Sequence, residues 1–199
     1  MYNVGVGYAA GGAVTTGVQN TMVGGLAGDA LQDADNNVAI GYASLTSDTL
    51  GSHSIAIGSG ALNAQNFSTA TDTYNVAVGD AAGLSVTTGT SNVLIGGLTG
   101  DSLTTGGQNV AMGVGAIGSD TQGQTAVAIG HNALSSQNFT TSTSHYNVAV
   151  GHTAGGSVTT GVQNTIMGGL AGDALQDADR NVAIGYQALT TDDLGSRTI

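Results

Sequence analysis

The chain contains no cysteine, proline or tryptophan, and reading along its 199 residues also finds no lysine and no glutamate. All 13 acids are aspartate, and the only two cations, Arg180 and Arg197, stand near the C-terminal end. Each absence removes a class of protein. Without a thiol there is no disulfide scaffold, no cysteine-ligated zinc and no cysteine nucleophile. Residues 1–179 carry no Lys or Arg and the net charge is −11. Such a surface lacks the cations that release phosphate counterions, which argues against nucleic acid as a partner. Glu and Lys are among the best formers of exposed helix, and their loss argues against long helices. No apolar run approaches the roughly 20 residues of a membrane-spanning helix, and no basic-then-apolar leader opens the chain. Disorder does not fit either. The hydrophobic fraction is 40% and only 8% is charged, with Val, Ile and Leu at regular intervals.

What the chain does have is glycine, at 34 positions, and a repeat. A run of the type Asn-Val-Ala-Ile-Gly starts at Asn3, Asn20, Asn37, Ser54, Asn75, Asn92, Asn109, Ala126, Asn147, Asn164, Asn181 and Thr198. The steps between starts are 17, 17, 17 and 21, and then the same again, which makes a super-repeat of 72 residues. Residues 2–55 match residues 146–199 at 41 of 54 positions, with no insertion, so the register survives two super-repeats. The whole chain, 1–199, reads as one array with blocks at 3–74, 75–146 and an incomplete 147–199.

Each unit opens on alternating apolar residues, as in Val38-Ala39-Ile40, closed by Gly41. A shorter apolar segment follows, such as Tyr42-Ala43-Ser44-Leu45, and then a polar stretch. That stretch usually has glycine three positions before the next start (Gly17, Gly51, Gly89, Gly106, Gly123, Gly161, Gly195), which suggests a positive-φ turn there. Two short strands and two turns per 17 residues make one rung of an all-β parallel β-solenoid, or β-roll. Eleven full rungs and a partial twelfth, stacked at about 4.8 Å, would span roughly 55 Å.

One rung alone buries almost nothing, so stability must come from stacking. Val4, Val38, Ile55, Val76, Val93, Val110, Val127, Val148 and Val182 form one ladder, with Val6, Ile40, Ile57, Val78, Ile95, Met112, Ile129, Val150 and Ile184 beside it. β-Branched residues suit a pleated interior, and the expectation is that these two ladders point inward. The residue between them then faces outward. It is Ala or Gly in eight of eleven rungs, the exceptions being Met22, Leu94 and Ile166, which recur once per block. A line of small residues punctuated by exposed hydrophobes marks an association face, which implies a homo-oligomer whose contacts include Met22, Leu94 and Ile166.

Runs such as Asn37-Val38-Ala39-Ile40-Gly41-Tyr42 resemble the repeats of trimeric autotransporter adhesin heads, and the longer form with a Thr-Thr-Gly turn resembles the repeat arrays of phage tail fibres. The resemblance implies a left-handed parallel β-roll, three identical chains around a threefold axis, and an extracellular place on a virion fibre or a bacterial surface. The 17-residue period, longer than the usual adhesin-head rung, and the 21-residue rung depart from the adhesin pattern.

Several apparent motifs dissolve against the repeat. Gly113-Val114-Gly115-Ala116-Ile117-Gly118 spells a dinucleotide fingerprint but lies in a rung, without the strand-to-helix context that the fingerprint needs. Asp33-Ala34-Asp35 and Asp177-Ala178-Asp179 place oxygens at alternate positions, yet Val38 and Ser44 stand where a calcium loop needs Gly and Glu, so these aspartates are expected to cap turns. His53, His131, His145 and His152 are read as single residues at differing rung positions, which offers no coordination geometry. No serine has a unique base and acid beside it. Thr15-Thr16, Thr87-Thr88, Thr104-Thr105 and Thr159-Thr160 suggest an ice-binding array, but Gln32-Asp33 and Thr49-Leu50 break it, which favours a turn role. No catalytic residue, cofactor or metal is expected.

The four-residue insertion, Gln65-Asn66-Phe67-Ser68 in one block and Gln137-Asn138-Phe139-Thr140 in the next, is the one departure from the minimal rung. Amides beside an aromatic ring suit a sugar, so Gln65, Asn66, Phe67, Gln137, Asn138 and Phe139 are candidates for contact with host glycan or matrix. The favoured reading is that Phe67 and Phe139 tuck back and cover the solenoid edge. Neither end resembles a cap, and an excerpt of a longer fibre is expected. The functional expectation is a structural shaft or head segment that holds a recognition tip away from a surface.

Overall fold

The structure, a computed structural model, describes residues 2–199. Among them it contains fifteen short strands and no helix. Eleven are the triplets foreseen from the repeat: β1 (Val4–Val6), β2 (Thr21–Val23), β3 (Val38–Ile40), β5 (Ile55–Ile57), β7 (Val76–Val78), β8 (Val93–Ile95), β9 (Val110–Met112), β11 (Val127–Ile129), β13 (Val148–Val150), β14 (Thr165–Met167) and β15 (Val182–Ile184). They form one parallel sheet in sequence order. Val4 pairs with Thr21, Thr21 with Val38, and Val38 with Ile55, so no rung slips. The chain is therefore a parallel β-solenoid of about eleven turns. The other four strands belong to the 21-residue rungs and the rungs before them: β4 (Gly51–Ser52) pairs with β6 (Thr71–Asp72), and β10 (Gly123–Gln124) with β12 (Thr143–Ser144).

The glycine that closes each triplet is what turns the chain. From Gly7 to Gly185 this column has φ between +124° and +143°. A Cβ on any member from Gly7 to Gly168 would lie 2.2 to 2.9 Å from the carbonyl oxygen of the glycine one rung on. Glycine is needed here both for its dihedral and for the closeness of the next backbone. The segment after it is not the second strand that the apolar residues suggested. Ala43 and Leu45 have φ of +52° and +51°. The Ala43 N–H donates back to Gly25 O and the Leu45 N–H forward to Ala61 O, both at 2.9 Å. Alternating left-handed residues thus make a stack of turns that is bonded in both directions. The glycines three positions before each start also differ from expectation, since none has positive φ. Their role is closeness: a Cβ on Gly17 would stand 2.4 Å from Ala34 O, and one on Gly123 2.1 Å from Asp120 Oδ2.

The larger correction concerns which face is inside. Ala39, Ala56, Ala77, Ala111, Ala128 and Ala149 are fully buried, while the Val and Ile on either side of them lie on the partly exposed outer face. Met22, Leu94 and Ile166, read from the sequence as an oligomer face, are 2%, 0% and 0% exposed within the single chain. They fill volume. In their rungs the residue six positions after the bulky one is Gly28, Gly100 or Gly172, and a Cβ on Gly100 would meet Leu94 Cδ2 at 2.9 Å. Where the strand centre is Ala39, Ala56, Ala111 or Ala128, the same later position holds Leu45, Leu62, Ile117 or Leu134, all buried. The interior is narrow, so a large side chain from one wall requires a small one from the other.

Asparagine at the start of the rung holds the layers together. Asn109 Oδ1 accepts the backbone N–H of Ala126 at 2.9 Å, and its Nδ2 donates to Gly123 O at 3.0 Å. The same two bonds recur at Asn3, Asn20, Asn37, Asn75, Asn92, Asn147, Asn164 and Asn181. These amides satisfy buried backbone groups that a turn leaves open. The repeat displayed this asparagine, but only the geometry assigns it a role.

Candidate functional surface

Two features stand out from the minimal rung: an outer apolar stripe and a polar section of the interior. The stripe is the outward face of the eleven-stranded sheet. One column runs Val38, Ile55, Val76, Val93, Val110 and onward, the other Ile40, Ile57, Val78, Ile95, Met112 and onward. Neither column contains a charged residue, and Thr21 and Thr165 are their only polar members. Met112, Ile129 and Met167 are 39%, 37% and 43% exposed. Tyr42, Tyr74, Tyr146 and Tyr186, at the rung positions flanking the triplets, are more than half exposed.

The polar section lies where each 21-residue rung meets the rung before it. In the first block Asp48 Oδ1 accepts the N–H of Gly51 at 3.0 Å and of Phe67 at 3.2 Å. Its Oδ2 accepts from Gln65 Nε2, which also donates to Ser54 Oγ at 2.8 Å. Ser54 and Thr73 share a hydroxyl bond of 2.6 Å, and Asn75 Nδ2 donates to Gln65 Oε1 at 2.9 Å. In the second block Asp120 and Gln137 repeat these contacts, but Ala126 replaces the serine and His145 replaces the threonine. Burial raises the Asp120 carboxyl above the usual carboxylate range, against the pull of the hydrogen bonds that it accepts. Burial also lowers the His145 imidazole to about 4.

This arrangement relocates most of the residues proposed for ligand contact. Gln65 and Gln137 are fully buried in the network, and Phe67 and Phe139 are 6% and 7% exposed, tucked over the edge of the core. None of these four side chains is presented to a ligand. Asn66 and Asn138 remain exposed, and each takes a hydroxyl bond at 3.2 Å, from Thr49 and Thr121.

The other candidates are occupied in holding rungs together. Asp35 Oδ1 accepts the Val18 N–H at 2.7 Å, and Asp179 Oδ1 the Val162 N–H at 2.8 Å, so these aspartates cap the preceding rung. Hydroxyl bonds from Thr159 and Thr160 hold the Asp177 carboxyl below its ordinary range. Thr87 and Thr104 each donate to the carbonyl one rung on, at 3.1 and 3.0 Å. His131 and His152, read from the sequence as unrelated, in fact share one rung position and stack at 5.3 Å with their planes 8° apart. They are two imidazoles without a third donor, and among the described residues no group of three or more metal-ligating side chains occurs.

No family model matches the chain, and no curated protein or solved structure is significantly similar to it.

Proposed function

We propose that this chain is a stiff segment of an extracellular homotrimeric fibre, either a phage tail fibre or a bacterial surface adhesin, whose work is to extend a recognition or adhesive tip. The observation that carries this reading is the outer stripe: two columns of Val, Ile and Met, interrupted by Thr21 and Thr165, run the length of the sheet with no charge among them and, among the described residues, no strand over them. A contiguous apolar strip of this kind marks association. Identical copies are the occupant that fits it best, because side-by-side rods present the same rung spacing and match column to column. The resemblance to trimeric fibre repeats supports three chains. A mechanical role agrees with the polar inventory, in which buried Asn, Gln and Asp bond to backbone or to each other.

The test is the mass in solution. Light scattering coupled to gel filtration should give three times 19.3 kDa, or 57.9 kDa, for the chain. Ile57→Asp with Ile95→Asp, on the outer face, should shift the mass toward 19.3 kDa while the β-rich spectrum persists. A wild-type mass of 19.3 kDa at all concentrations would overturn the reading.

A further inference from the structure

The two 21-residue rungs have the same backbone and differ in one buried cluster. His145 is fully buried, with one face of its ring stacked on Phe139 at 4.9 Å and 4°. Both ring nitrogens face donors: Gln137 Nε2 lies 3.0 Å from His145 Nε2, and the Asn147 N–H points at Nδ1 from 3.3 Å. A neutral imidazole can accept one of these bonds. An imidazolium carries a proton on each nitrogen and can accept neither.

No carboxylate among the described residues is hydrogen-bonded to the ring. Among the described residues, Asp120 is the one carboxylate within 4 Å of the ring, at 3.9 Å, beyond hydrogen-bond reach. Its oxygens are taken, Oδ1 by the N–H groups of Gly123 and Phe139 and Oδ2 by Gln137. Turning to the ring would give up the bonds that hold the corner at Phe139. In the 54–74 rung, Ser54 and Thr73 fill the same place with hydroxyls that donate or accept and do not titrate near neutrality.

We propose that the His145–Gln137–Asp120 cluster is an acid-responsive catch, which holds the 126–146 rung closed at neutral pH and releases its outer corner on protonation, while the 54–74 rung stays shut.

The direction follows from linkage. The folded imidazole resists protonation down to about 4, whereas the unfolded or opened one takes a proton near the ordinary value of 6.5. Stability at this rung is therefore complete above pH 6.5 and is lost as the pH falls from there toward 4. These two values give an opening equilibrium about 30-fold larger at pH 5 than at pH 7.5, and a ceiling of roughly 300-fold. Asp120, raised by burial, acts in the opposite sense and offsets part of this loss as it takes up its proton.

Amide hydrogen exchange of the full chain reads this directly. After correction for intrinsic rates, the Phe139 and His145 amides should lose about 30-fold of their protection between pH 7.5 and 5, while their first-block counterparts Phe67 and Thr73 change less than about threefold. Imidazole chemical shifts in the wild-type protein should show His145 titrating well below 6.5. The double variant Ala126→Ser with His145→Thr transplants the first block's chemistry and should abolish the loss. Equal loss at both rungs, a His145 titration at the ordinary value, or loss that persists in the double variant would each overturn the proposal. The first two measurements need no variant, so a misfolded double variant does not shield it.

Discussion

Within one block the interior is filled in two ways. The rungs from 75 to 108 close over Val86, Leu94 and Leu103, all fully buried hydrocarbon. The rungs from 109 to 146, the second of them lengthened by four residues, place Asp120 and Gln137 where those rungs have Val86 and Leu103. The triplet sheet does not distinguish them, since its strand register runs through both without a break. What differs is tolerance of loss. A hydrocarbon section that loses a side chain keeps its remaining contacts, whereas a buried network that loses one member leaves several groups unbonded together. Saturation of the network makes carboxylate and amide permissible inside a rod this thin.

That contrast can be broken or sharpened by substitution, beginning with the polar section. Asp120→Ala should be the most damaging, because it strands the N–H groups of Gly123 and Phe139 and one amide of Gln137. About 3–5 kcal/mol is expected, with Asp120→Asn milder, both read from urea unfolding. Leu94→Ala, in the hydrocarbon section, leaves a cavity against Gly83 and Gly100 and should cost about 2–4 kcal/mol by the same measurement. If Leu94→Ala proves the worse of the two, the idea that the polar section is the brittle one fails. Asn92→Ala removes the acceptor for Asn109 N–H and the donor to Gly106 O. A loss of about 1–3 kcal/mol is expected, with amide exchange accelerated first in the rungs on either side. Val93→Thr, on the outer stripe, should change the stability of the isolated chain by less than about 1 kcal/mol. Its effect should appear as weakened self-association in sedimentation.

The period, the parallel stacking and the constant register were legible because a solenoid writes its geometry into spacing. The facing of the sheet was not. Alternation in Val38-Ala39-Ile40 says that two faces exist and is silent on which one is covered. Branched residues suit a pleated sheet equally well under a partner as in a core. The signal that settles it is volume: each bulky Met22, Leu94 or Ile166 has glycine six residues later, and each alanine at that place in the 21-residue rungs and the rungs before them has Leu or Ile. Only side chains that share one space need to compensate in this way. The buried cluster was half legible. Gln65, Phe67, Gln137 and Phe139 were singled out as unusual, but amides beside an aromatic look the same in a sequence whether they face a sugar or the interior. His145 gave no warning, because its partners Asp120 and Gln137 lie 25 and 8 residues away and meet it only through the stacking.

Because the glycine column is renewed at every layer and the asparagine bonds at three layers in each block of four, no layer depends on its distance from either end. A further 72-residue copy inserted in phase would meet the same neighbours as those already present and add about 19 Å, four layers at about 4.8 Å. Reach thus becomes a quantity that duplication or deletion of near-identical gene segments can set in fixed increments, without any new packing problem to solve.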